Sequence, residues 1–383
     1  MERPPSPPAT FDGFVARLLA RTTGHDGKVI QTVYDRWSTG HAEGESFLDY
    51  LCARGVIDRV GARAVLRTWE GRFDDRDTRE LLGRHALGRT LHRLTPAADG
   101  PVVVPADARP IGSRLGRYAV KGVLGWGGFG PVYLGVHPTL RVPVALKPAG
   151  SADRDRLRVE ARLQAAVTHP NVVRVWDYED GDDPVLVLEY VGGENLRDRL
   201  THGPLAPREA FTLTAQAALA LRAAWRAGVT HGDVKPANVL LTPEDGFKLG
   251  DFGLARCRRK FARSVAADVP RPGPTAAGTL NYMAPEQFEA AHDHRSDVYS
   301  LGLTLHHALT GCVPVPGTDP DEVMLRHKRG DVEPVHRVAP GVRREVSDLV
   351  RRMTAVDPAR RFDTHDDLIR AAEAAFGMRL DLY

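Results

Sequence analysis

With 383 residues, 42% of them hydrophobic and 26% charged, the chain has the composition of a globular protein of two or three domains, which excludes collagenous, fully disordered and membrane-integral classes. The 52 Lys and Arg residues against 49 Asp and Glu leave a formal net charge of +3, too little for a whole-chain electrostatic footprint on nucleic acid or anionic lipid. Cys52, Cys257 and Cys312 form no C-x-x-C pair and no apolar run is long enough to span a bilayer, so a reducing cytoplasm is expected, with no membrane span and no cysteine-built zinc site.

Residues 1–10 read as a proline-rich disordered lead. Over 11–94 the pattern turns helical: Phe11, Phe14, Val15, Leu18 and Leu19 recur at spacings of three and four, and Phe47, Tyr50 and Leu51 repeat the device. Phe47–Trp69 has the length of a DNA-reading helix–turn–helix, yet Asp58, Glu70 and mixed neighbouring charges give it no basic recognition face. This small helical domain is expected to be a regulatory module with a protein partner. Pro96, Pro101, Pro105 and Pro110 mark 95–113 as a linker.

A second domain over 114–378 has a different grammar. Tyr118–Leu124, Pro131–His137 and Val142–Leu146 are short Val- and Leu-rich runs separated by Gly and Pro, as hairpin strands are. Asp153–Val167 predicts a helix closed by His169 and Pro170; Val172–Trp176 and Val185–Tyr190 return to strand. Beyond Pro207 helices dominate, over Ala210–Ala227, Val298–Leu309, Val342–Met353 and His365–Phe376. An antiparallel sheet with one helix, followed by a helical lobe, predicts an α+β fold with two lobes and a cleft.

Gly125, Gly127 and Gly130 form G-x-G-x-x-G, ambiguous alone between a plain hairpin, a dinucleotide turn and a flap over nucleotide phosphates; Pro131–Leu134 continues as strand, which favours the flap. Lys147 ends the apolar strand Val144-Ala145-Leu146. It reads either as a snorkelling strand end or as a bridge between phosphates, with Glu160 on the next helix as its candidate partner. Lysine is scarce in this arginine-rich chain, occurring at Lys28, Lys121, Lys147, Lys235, Lys248, Lys260 and Lys328, so a retained lysine invites a reason.

The run His231-Gly232-Asp233-Val234-Lys235-Pro236-Ala237-Asn238, then Asp251-Phe252-Gly253 and Ala284-Pro285-Glu286, resembles the protein kinase catalytic domain, in particular the eukaryotic-like Ser/Thr kinases of bacteria. The likeness extends from about Arg117 to Phe376, and includes Asp297 in Ser296–Gly302 and Arg361 in Asp357–Arg361. It implies an ATP- and Mg²⁺-dependent enzyme acting on protein Ser/Thr hydroxyls. By that resemblance Gly125, Gly127 and Gly130 cover the phosphates and Lys147, held by Glu160, fixes them. Leu124, Val132, Ala145 and Leu240 sandwich the adenine, Glu189 and Val191 offer hinge backbone to it, and Leu188 is the gatekeeper. Asn238 and Asp251 ligate Mg²⁺, Asp233 orients the acceptor hydroxyl, Lys235 stabilises charge on the moving phosphoryl group, and Thr279 marks the Ser/Thr-directed branch.

Gly232 stands where the family usually has arginine, the residue that gathers a phosphorylated activation segment, so control by loop phosphorylation is not expected. His-Gly-Asp also occurs in small-molecule phosphotransferases of the aminoglycoside and choline kinase type, which typically lack the Asp-Phe-Gly glycine and the Ala-Pro-Glu platform present here. A non-catalytic pseudokinase is the other alternative, opposed by the presence of Lys147, Asp233, Asn238 and Asp251. Pro131 and Pro148 stiffen the nucleotide side. The basic stretch Leu254–Thr275, with Arg256, Arg258, Arg259, Lys260 and Arg263, reads as a solvated loop or a docking surface for an acidic or phosphorylated substrate.

Overall fold

A computed structural model describes residues 112–127, 130–149, 153–243, 246–257, 277–289, 293–317 and 319–380. The expected lead and helical domain, nearly all of the linker, and the basic stretch beyond Cys257 lie outside the described residues. Two compact units divide the chain, Met1–Gly127 with Pro131–Pro143, and Gly128–Gly130 with Val144–Tyr383.

In the first unit β1 (Arg114–Leu115) pairs antiparallel with β2 (Tyr118–Gly127), and β3 (Gly130–Val136) follows in the order β1-β2-β3. Alternation along β2 buries Tyr118 and Val120, Leu115 of β1 is buried beside them, and in β3 the consecutive Tyr133 and Leu134 are both buried. The Tyr118 ring meets His137 edge-on at 5.7 Å.

The second unit opens with β4 (Pro143–Pro148) and helix α1 (Arg154–Ala165), then β5 (Val175–Glu179) and β6 (Val185–Glu189), ordered β4-β6-β5 with antiparallel pairing. On α1, Leu157, Glu160, Ala161 and Gln164 follow the i, i+3, i+4, i+7 spacing and are all buried, so a carboxylate sits on the apolar stripe. The expected strand Val172–Trp176 starts three residues late. Val172 and Val173 are drawn to β9 (Phe247–Leu249), for Val173 donates its N–H to the Leu249 carbonyl and Leu249 donates to that of Asn171.

A helical body follows: α2 (Leu196–Leu200), α3 (Pro207–Arg226), α4 (Ala277–Leu280), α5 (His294–Thr310), α6 (Pro320–Arg329), α7 (Val335–Val338), α8 (Arg344–Met353) and α9 (His365–Phe376). Pro207 and Glu209, whose carboxylate accepts the Ala206 N–H at 2.9 Å, start α3. Helix α5 is buried on nearly every side, as expected of the central helix of an all-helical layer. Leu213, Leu221, Leu301, Leu305, Leu349 and Leu368 belong to one core cluster, and Phe211 meets Phe376 at 5.7 Å. Two short antiparallel strand pairs lie against this body. β7 (Val229–Thr230) pairs with β10 (Arg256–Cys257), and β8 (Val239–Leu241) with β9.

Candidate active site

These strand pairs position the polar residues. The segment 231–238 runs from β7 to β8, and the Val239↔Leu249 register sets Asn238 beside Gly250, whose N–H donates to the Asn238 carbonyl at 2.9 Å. Asp233 and Asp251, 18 positions apart, therefore face one small volume.

Segment 231–238 is held from below by Asp297 on α5. Its two carboxylate oxygens accept the N–H of His231 at 2.9 Å and of Gly232 at 2.7 Å. Gly232 has φ +77, a left-handed conformation costly to any residue with a Cβ. Burial lowers the His231 pKa and keeps its ring neutral, as its bonds require: Nε2–H donates to the Gly250 carbonyl at 3.1 Å while Nδ1 accepts the Asp233 N–H at 3.2 Å. The same ring packs on Phe252 at 4.5 Å. His231 thus bridges the segments that carry Asp233 and Asp251.

Around Asp233 the bonds converge. Lys235 Nζ donates to the carboxylate at 2.8 Å and to the Thr279 hydroxyl at 2.5 Å; Asn238 Nδ2 donates to Asp233 Oδ2 at 2.9 Å and to its carbonyl at 2.8 Å. Burial lifts the Asp233 carboxyl above its usual range, against the opposing pull of Lys235. A carboxylate of raised basicity beside a lysine can orient a hydroxyl and take up its proton.

On the sheet side Lys147 Nζ donates to Glu160 at 2.6 Å and to Asp251 at 2.9 Å, and Lys147 is only 6% exposed. Burial opposes the charge on each, but the two carboxylates hold Lys147 protonated, raising its pKa, and the Lys147 charge lowers that of Asp251 to about 2. Burial raises the Glu160 carboxyl, against which Lys147 pulls. Asp251 has φ +60, a strained position that the surrounding bonds maintain.

The β4–β6 register places Ala145 opposite Leu188 and Lys147 opposite Leu186. Leu188 is buried, and Leu240 and Val191 are half-buried. The Glu189 N–H is taken up by the Arg174 carbonyl at 2.8 Å, and its side chain accepts from Lys248 Nζ at 2.7 Å, a link absent from the sequence reading. Gly130, at φ +115, opens β3. Leu124, Gly125 and Gly127 lie on β2 and Val132 on β3 of the first unit, with Leu124 exposed.

The Ala-Pro-Glu turn is built into the helical body. Arg361 makes two bonds to Glu286, at 2.6 and 3.0 Å, and Ser296 adds a third at 2.6 Å. Gln287, which no motif singles out, donates to the Gly232 carbonyl at 3.0 Å and accepts the Ala284 N–H at 2.9 Å, tying this turn to the Asp233 segment.

Asn238 and Asp251 offer the oxygen chemistry that Mg²⁺ takes: the Asn238 amide gives its N–H to Asp233, and its carbonyl oxygen is acceptor-only; Asp251 is ionised. Among the described residues no group of three or more His, Cys, Asp or Glu could hold a metal by itself, and no helix is long and apolar enough to cross a membrane. Mg²⁺ ordinarily combines one or two carboxylates with substrate phosphates, which the present pair suits.

Residues 118–370 match the protein kinase domain family. The chain is 38% identical over 275 residues to serine/threonine-protein kinase pkn2 of Myxococcus xanthus, covering 68% of this chain and 32% of that protein. It is 38% identical over 274 residues to serine/threonine-protein kinase PknB of Mycolicibacterium smegmatis, covering 67% and 43%. Against serine/threonine-protein kinase PrkC of Bacillus subtilis the identity is 32% over 276 residues, covering 70% and 42%. The chain thus spans less than half the length of these curated relatives.

Proposed function

The chain belongs to the protein kinase family, and on that premise we propose that it transfers the γ-phosphoryl group of Mg-ATP to Ser/Thr hydroxyls of proteins. The observation that carries this reading is the convergence of Lys235 on both Asp233 and Thr279. Thr279 follows Gly278 in the segment leading to the Ala-Pro-Glu turn, so one ammonium group links the proposed proton acceptor to the stretch on which a peptide would lie. Small-molecule phosphotransfer needs no such platform, and an anchored one, with Arg361 buried beneath Glu286, favours a polypeptide acceptor.

The roles follow from position. Asp233, set by Asn238 and Lys235, accepts the hydroxyl hydrogen as its oxygen attacks phosphorus; Lys235 offsets negative charge on the transferring group. Lys147, steadied by Glu160, binds the α- and β-phosphates. Asn238 and Asp251 would hold Mg²⁺, whose charge would screen the phosphate oxygens. The Ala145–Leu188 pair and Leu240 give the adenine an apolar bed with Glu189 and Val191 backbone at its edge.

Transfer from radiolabelled ATP with Mg²⁺ to a panel of proteins and small alcohols tests the reading. Label on phosphoserine or phosphothreonine, absent in Asp233→Asn, is expected. Label confined to small alcohols or to tyrosine would refute it. Residues 11–94 are read as a module that recruits a protein partner, and the chain as cytoplasmic.

A further inference from the structure

Tyr299 on α5, His327 on α6 and Leu280 at the end of α4 are joined by two hydrogen bonds that none of the catalytic roles uses. The Tyr299 hydroxyl is 2.9 Å from His327 Nδ1, and His327 Nε2 is 2.9 Å from the Leu280 carbonyl oxygen. Both side chains are fully buried, and Leu280 packs with Val315 and Val323 in a small apolar cluster. A carbonyl only accepts, so Nε2 must carry the ring hydrogen, and Nδ1 is then the acceptor of the Tyr299 O–H. Burial draws the His327 pKa down to about 4, which keeps this single tautomer in place at neutral pH.

We propose that His327 is a positioning residue for phosphoryl transfer, the link through which α5 and α6 hold the Leu280 carbonyl and, one residue back, the Thr279 hydroxyl against Lys235. The inference rests on reading Asp233, Lys235 and Thr279 as the catalytic centre. The Leu280 carbonyl thus takes one bond from outside its own segment, from His327, and one from within it, from the Met283 N–H at 3.2 Å. The far end of the same stretch returns to the same tyrosine, because the Arg361 guanidinium that grips Glu286 stacks 4.7 Å over the Tyr299 ring. Residues 280–286 are thereby clamped at both ends on Tyr299, by its hydroxyl through His327 and by its ring through Arg361. Anything seated on α6 that shifts His327 would move Thr279 relative to Lys235 without touching nucleotide.

The two ring nitrogens can be separated by substitution. Gln places an amide N–H near the former Nε2, whereas Asn reaches only to the position of Nδ1. We expect His327→Asn to lower peptide kcat about tenfold with the ATP dissociation constant changed less than about twofold, and His327→Gln to recover to within about threefold of the parent. Combined with Thr279→Ala, His327→Asn should add less than about twofold to the loss caused by Thr279→Ala alone, since both act through one contact. Tyr299→Phe, which removes one hydroxyl and little packing, should lower kcat about threefold and be silent in the Thr279→Ala background; it serves if His327→Asn does not fold. Equal losses in the Asn and Gln variants, or losses that multiply with Thr279→Ala, would overturn the proposal. Full turnover by Thr279→Ala would instead overturn the catalytic reading of Thr279 beneath it, and the positioning role with it.

Discussion

Arg361 and Glu286, 75 positions apart, form a two-pronged ion pair in which the arginine side chain is wholly buried. Its remaining donors reach the carbonyls of Ala355, Arg295 and Val356, so every guanidinium N–H has a partner. Removing one partner strands the other charge. Arg361→Ala is expected to cost about 3–5 kcal/mol in chemical denaturation. A loss below about 1 kcal/mol would show that the pair does not anchor the turn.

Gly232 combines two consequences of one missing side chain. At φ +77 a Cβ is disfavoured, so Gly232→Ala should destabilise by about 1–2 kcal/mol. Glycine also offers nothing to gather a phosphate on the activation segment. Phosphatase treatment, Ser264→Ala and Thr275→Ala should each change peptide phosphorylation by less than about threefold, under roughly 0.7 kcal/mol of barrier. A tenfold loss in any of them would assign that recognition to another cation, with Arg256 and the neighbouring basic residues the first to test.

His327 and His365 both have pKa values lowered by burial to about 4, and both are almost fully buried. The folded protein keeps them neutral while the unfolded chain takes up protons near the ordinary value of about 6.5. Their contribution to stability is present above pH 6.5 and is lost as pH falls towards 4, on the order of 3 kcal/mol for each ring. Urea midpoints measured from pH 7.5 to 4.5 should therefore fall, and less steeply in His365→Phe. An unchanged slope in that variant would contradict the burial argument for His365, whose neighbours are His294, Asp366 and Arg222.

The parts legible in sequence are those where chemistry restricts residue type over a short span. Asp233, Lys235 and Asn238 lie within six positions, and the spacing that marks them also brings them into mutual hydrogen bonds. Glu160 alone reads as a solvated helix charge and stands out only as a mid-helix acid after the Lys147 strand; the structure buries it on the stripe of Leu157, Ala161 and Gln164. The end helix His365–Phe376 has the bounds its apolar spacing predicts. What could not be read are pairings across long separations with no fixed spacing, such as Gln287 with Gly232, Lys248 with Glu189, and His327 with Leu280. The strand at Val172 misled for a similar reason: its valines suit any strand, and only the fold assigns their backbone bonds to β9 rather than to the sheet edge.

Lys147 and Lys235 should fail in different ways. Lys147→Met removes the cation between Glu160 and Asp251, so it should weaken ATP binding and also leave the buried Glu160 and half-buried Asp251 carboxylates without their shared cation, seen as a lowered thermal midpoint. Similar thermal midpoints for Lys147→Met and the parent would contradict the buried pair as an energetic unit.

The central claim is that Asp233 and Lys235 act on the transfer step rather than on nucleotide binding, and the direct measurement is single-turnover peptide phosphorylation alongside the ATP dissociation constant in Asp233→Asn and Lys235→Ala. The arrangement predicts a fall of about 10²-fold or more in the transfer rate for each variant, with ATP affinity within about threefold of the parent. Loss of ATP binding with an undiminished rate for the bound nucleotide would contradict it.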